Sequence, residues 1–129
     1  MHILLVEQDD DIRTLFATFL GERGYIVSAA CEPVEALKIA TSNVPDVVLS
    51  SLVFHGMDGF ELCRRLRALP KTSQSLIVAL TGYSESGIEE RTREAGFNKY
   101  LLKPVSIQDV LMMLDAAKKR QNSARLITH

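Results

Sequence analysis

Five polar residues stand where short apolar runs end. Glu7 and Gln8 follow Ile3-Leu-Leu-Val6, Ser51 closes the run from Val47, Thr81 follows Leu76 to Leu80, and Lys103 follows Tyr100-Leu-Leu102. An acid, an amide, two hydroxyls and an ammonium group support three kinds of chemistry. Lysine and threonine beside helix N-termini can hold an anion or a nucleotide phosphate. A lysine next to a serine can act as base to a nucleophile, but only when the lysine is neutral, and Glu7 nearby would hold it charged. A carboxylate beside the lysine can also simply neutralise it. Ser51 is un-ionised at neutral pH and needs a base before it can attack, and the sequence shows none beside it. Whatever the chemistry, it requires these strand ends to meet, as they do in an open parallel sheet, where ligands gather outside the carboxyl ends of the strands.

The elements that would bring them together are legible as a repeating pattern. The run Val47-Val-Leu49 is what a strand buried on both faces looks like. Gly56 and Gly59 bracket a turn after it, and Asp58 stands where its carboxylate can cap a helix carrying Phe60, Leu62, Cys63, Leu66 and Leu69, which Pro70 stops. Ahead of this unit, Ile3 to Val6 is a strand and Ile12, Leu15, Phe16, Phe19 and Leu20 recur at helical spacing, with Asp9, Asp10 and Asp11 read as capping its start. Tyr25 to Ala29 is a second strand, and Pro33 opens a helix turning Ala36, Leu37 and Ala40 inward. Leu76 to Leu80 is a fourth strand. The helix between Ser84 and Gly96 has only Ile88 and Ala95 clearly apolar, which predicts loose packing. A short fifth strand ends at Lys103-Pro104, and a last helix places Ile107, Val110, Leu111, Leu114 and Ala117 on one stripe, with Met112 opposite. Five strands, each followed by a helix, require parallel pairing with right-handed crossovers. The predicted fold is a flavodoxin-like, doubly wound (βα)5 α/β domain with strand order 2-1-3-4-5 over residues 1–120. Residues 121–129 read as a polar tail or linker.

Bulk properties narrow the functional classes. The 129 residues suffice for one core, and 15 Lys and Arg against 16 Asp and Glu leave a net charge of −1. This gives no general attraction to nucleic acid or to an anionic membrane. Cys31 and Cys63 form no C-x-x-C pattern, and His2, His55 and His129 show no metal-ligand spacing. No apolar run approaches a membrane span, and the opening run is too short for a signal peptide. A cytoplasmic protein, monomeric or weakly dimeric, is expected.

Several motifs in order and at matching spacing carry a resemblance. They are Ile3-Leu-Leu-Val-Glu7 with Asp11-Ile-Arg13, Pro45-Asp46, Gly56-Met-Asp-Gly-Phe-Glu-Leu-Cys-Arg-Arg65, Ala79-Leu-Thr-Gly82, Ala95-Gly-Phe97 and Tyr100-Leu-Leu-Lys-Pro104. Over residues 1 to about 120 the chain resembles the receiver domain of bacterial two-component response regulators. The resemblance implies an acidic pair for Mg²⁺ at positions 7 and 8, a phosphoacceptor aspartate at 51, a hydroxyl at 81, a lysine at 103 in a cis Lys-Pro bond, and a switch aromatic at 100. Glu7, Thr81, Lys103 and Tyr100 keep the pattern, while Gln8 and Ser51 replace two of its three acids. His55 replaces the proline usual at its place in the loop and reads as a solvated residue.

That departure predicts a phosphorelay-type signalling module that no longer undergoes aspartyl phosphorylation and works through protein–protein contact with a signalling kinase, output domain or regulator. No cofactor is expected, and Mg²⁺ only weakly, because one carboxylate is a poor magnesium site. Glu7 is expected to pair with Lys103. Tyr100 and Met112 mark the expected partner surface. An anion- or nucleotide-sensing domain is the alternative, and a Ser-Lys hydrolase ranks last; the protein reads as a non-enzyme.

Overall fold

The computed structural model describes residues 1–82 and 87–127, with side chains described as far as residue 122. Strands β1 (His2–Val6), β2 (Ile26–Ala30), β3 (Val47–Ser51), β4 (Leu76–Thr81) and β5 (Lys99–Leu102) alternate with helices α1 (Asp10–Glu22), α2 (Pro33–Ser42), α3 (Gly59–Ala68), α4 (Ile88–Ala95) and α5 (Ile107–Ile127). Every pairing is parallel and the order is β2-β1-β3-β4-β5, the doubly wound arrangement that the alternating patterns predict.

Side chains of a strand point alternately to its two faces, and here each face is covered by helices. Leu4, Val6, Val48, Ile77 and Ala79 pack with residues of α2, α3 and α4. Ile3, Leu5, Val47, Leu49, Val78 and Leu80 pack with α1 and α5, where Leu20, Val110, Met113 and Leu114 complete the layer. All residues of β1 and β3 are buried, which fixes their register, because a slip of one residue would exchange the two faces.

Helix starts follow the capping chemistry of the sequence. The Asp9 carboxylate accepts from the Ile12 amide at 3.0 Å and that of Asp58 from the Glu61 amide at 2.9 Å, while Asp10 and Asp11 lie in the first turn of α1, where the helix dipole favours them.

Four expectations are corrected. Ile12 and Leu15 share the apolar spacing of α1 yet are 41% and 64% exposed; periodicity identifies a face, but not how far the neighbouring layer covers it. Helix α4 is not loose: Thr92 joins Ile88 and Ala95 in the interior, its hydroxyl donating to the Glu89 carbonyl at 2.9 Å, so a polar residue fills a place the apolar pattern left blank. The expected start near Ser84 lies outside the described residues. Helix α5 continues to Ile127 where a polar tail was expected from Gln121, since no glycine or proline stands there to stop it. Strand β2 is shifted one residue from the expected Tyr25–Ala29.

Candidate functional site

Strand alternation decides which of the five polar residues meet. Continuing β1 past Ile3 and Leu5 puts Glu7 on the α1/α5 side, and continuing β3 past Val47 and Leu49 puts Ser51 on that side too. Lys103 follows Leu101, another residue of that layer, at the same two-residue interval. The three side chains converge. Ser51 Oγ donates to Glu7 Oε1 at 2.6 Å, and Lys103 Nζ donates to Glu7 Oε1 at 3.0 Å and to Ser51 Oγ at 2.9 Å. Glu7 and Ser51 are 4% and 3% exposed, while a third of the Lys103 side chain remains open to solvent.

Thr81 has the opposite parity, sharing the side of Ile77 and Ala79 in β4. It is buried, and its carbonyl accepts the Lys103 amide at 2.7 Å, so it fixes the backbone from which the lysine reaches out. Gln8 is exposed. Its backbone carbonyl and that of Glu7 accept from the Arg13 guanidinium at 3.4 and 2.8 Å. Arg13 also pairs with Asp10 and thereby ties down the turn from β1 into α1. The Lys103–Pro104 peptide is cis, as the resemblance implies.

The Ser51 end of β3 is held by its exit. Gly59 begins α3 directly against it, with its amide donating to the Leu52 carbonyl at 2.9 Å, and a Cβ on Gly59 would lie 2.3 Å from the Ser51 carbonyl oxygen and 2.8 Å from Leu52 Cα. Only glycine permits that approach.

Electrostatics centre on Glu7. Burial by itself pushes its pKa up, but the Ser51 hydroxyl, the Asp9 amide at 2.8 Å and the Lys103 ammonium together outweigh burial and hold the carboxyl below its ordinary value. The expectation that Ser51 lacks a base is thus corrected in part: a carboxylate accepts its proton, brought across from β1 by the extra methylene of a glutamate. It is a weak base, since a carboxylate with a lowered pKa holds protons poorly. The Ser51 oxygen is also occupied by the Lys103 donor, and Lys103 is ion-paired, the opposite of what a Ser-Lys dyad needs.

The arrangement does not fit a magnesium ion. Both oxygens of the one inward carboxylate are engaged by donors, Gln8 offers only a neutral amide, and Asp9 and Asp10 are taken up by the Ile12 amide and Arg13. Among the described residues no group of three His, Cys, Asp or Glu could hold a metal.

Tyr100 and Met112 lie on different layers. Tyr100 is half-buried against the α2–α4 side, while Met112 projects from α5 with 67% of its surface exposed. His55 is exposed in the loop after β3. The apolar spacing concealed one feature: Ile12 and Phe16, with Val105 after the cis bond, line a cleft above Glu7 and Lys103.

Comparison with known proteins bears on the family and the fold. Residues 3–115 match the family described as response regulator receiver domain. An uncharacterized 14.6 kDa protein of Leptolyngbya boryana is 36% identical over 114 residues, 88% of this chain and 87% of that protein. The transcriptional regulatory protein AfsQ1 of Streptomyces coelicolor is 35% identical over 103 residues, 80% of this chain but 44% of the regulator, so the chain spans less than half of that relative. A two-component response regulator from Clostridium difficile superposes with a TM-score of 0.87 at 25% identity, covering 95% of this chain and 98% of that one. No helix among the described residues is long and apolar enough to cross a membrane.

Proposed function

The chain belongs to the response regulator receiver domain family, and from that premise we propose that it is a signalling module that does not take phosphate on an aspartate and acts by binding a protein partner rather than by catalysis. One observation carries the reading: at the end of β3 stands a serine whose hydroxyl both donates to Glu7 and accepts from Lys103. An aspartate there would be ionised and free to attack a phosphoryl donor. The Ser51 hydroxyl is un-ionised, one of its lone pairs is taken by Lys103, its only base is the weakly basic Glu7 carboxylate, and Mg²⁺ would bind weakly at most. Anion sensing is disfavoured because Glu7 already neutralises Lys103. The partner would be a signalling kinase, an output domain or another regulator, engaged through the surface around Tyr100 and Met112 by a cytoplasmic monomer or weak dimer.

The test is intact mass spectrometry after incubation with acetyl phosphate and Mg²⁺. The mass of the unaltered protein should not change, whereas the double variant Gln8→Asp, Ser51→Asp should gain one phosphoryl group. Labelling of the unaltered chain at Ser51 or at Asp9 would overturn the proposal. So would a folded, Mg²⁺-binding double variant that stays unlabelled, because the departure would then lie elsewhere.

A further inference from the structure

The Glu7–Lys103 pair is the floor of a cleft of about 400 Å³ between the start of α1 and the turn that leaves β5. Its walls are Leu5, Ile12, Phe16, Leu80 and Val105. Ile12 and Phe16 are four residues apart and so stand one above the other on the same face of α1. Leu5 and Leu80 are 1% and 5% exposed, so the cleft reaches the sheet itself, while Ile12 at 41% stands open at the rim. A concave, mainly apolar space of this size with a few placed polar groups is the usual form of a small-molecule site, for which volumes run from roughly 300 to 1,000 Å³.

The floor specifies the chemistry of the occupant. An ammonium group has three N–H donors. Two of those on Lys103 go to Glu7 and Ser51, and the third has no acceptor among the described residues. The pair is neutral as a whole. A carboxylate in the cleft would approach Lys103 beside the Glu7 carboxylate and be repelled by it, and a cation would meet Lys103. A pure hydrocarbon would strip water from the remaining donor without replacing it, which costs more than an unmade contact. An uncharged carbonyl oxygen avoids all three penalties. We propose that this cleft binds a small, uncharged, mainly apolar molecule with one carbonyl-type acceptor, taken by the third N–H of Lys103. The site would couple such a ligand to the turn after β5 without any phosphoryl chemistry, so it stands or falls separately from the reading above.

The test uses the full chain and two matched probes, 4-phenylbutan-2-one and 3-phenylpropanoate, followed by methyl and amide NMR shifts. The ketone should move the Ile12, Leu80 and Val105 methyl resonances saturably, and the carboxylate should bind more weakly. Ile12→Trp fills the rim from an exposed helix position and should weaken ketone binding about tenfold with thermal unfolding unchanged; Val105→Trp reads the same effect if that variant does not fold. Lys103→Met should also weaken it about tenfold, the usual worth of one hydrogen bond to a charged donor. The proposal is overturned if the ketone gives no saturable shift up to its solubility limit, as when the cleft receives only a protein side chain. Shifts located elsewhere, tighter binding of the carboxylate, or unchanged binding by Lys103→Met would overturn it equally.

Discussion

Strands β1 and β5 each deliver one charge to the same point, and the two ends are built differently. Strand β1 is paired on both sides and buried along its whole length, and the acid that follows it is almost without solvent contact. Strand β5 is an edge: two of its four residues are exposed, and a third of the Lys103 side chain faces water. Burial fixes the acid, so the lysine is the adjustable member. Changes at the centre should therefore unfold the protein, whereas changes at the edge should alter what the site does.

The contrast is sharpest in a pair of truncations. Leu4→Ala removes a side chain with no exposure from the middle of β1 and should cost about 2–5 kcal/mol in denaturant unfolding. The matching edge truncation, Leu102→Ala at 48% exposure, should stay within about 0.5 kcal/mol. Comparable losses for the two would mean the edge is as firmly built as the centre.

Next in size is Gly59→Ala, in which the new methyl group meets backbone atoms that cannot move aside cheaply. A cost near the upper end of about 1–3 kcal/mol is expected, with chemical-shift changes centred on Ser51 and Leu52. Unchanged stability would show that the end of β3 can give way.

Glu7→Gln attacks the pair from its fixed side and should cost about 1–2 kcal/mol at neutral pH, since a charged acceptor is lost from a buried site. The pH dependence has a definite sign. The carboxyl is held below its ordinary value in the folded state, so its contribution is present above the unfolded glutamate value and is lost as pH falls through the lower folded one. The stability difference between the natural chain and Glu7→Gln should therefore narrow from about pH 4.5 downward. A difference that widens there would put the proton on another group.

The smallest effect expected is at Met112, where Met112→Ala should leave stability within about 0.5 kcal/mol of the natural chain, because most of the side chain is already in water. Pull-down of a partner is the measurement on which this variant should register.

Much of this architecture was legible from runs such as Val47-Val-Leu49 and from capping residues such as Asp9 and Asp58, because burial on two faces and helix starts are local properties. What escaped were facts about distance and coverage. Glu7 and Ser51 are 44 positions apart, and nothing local shows that a glutamate is long enough to cross from one strand end to the other. The apolar spacing of α1 was plain, but Ile12 looked like core because spacing says nothing of where the opposing layer stops. Thr92 was invisible for the converse reason, being a polar residue buried with its hydroxyl bonded inside its own helix.

The two oxygens of Glu7 carry separate loads. Oε2 holds the amide at the entrance of α1, and Oε1 holds the ammonium that leaves β5, two strands beyond β1's neighbour in the sheet. The side chain is thus a strut between segments that share no backbone ladder. In hydrogen-exchange terms, the Asp9 amide and the Lys103 amide should open in the same event rather than independently, with protection falling together at both when the strut is cut.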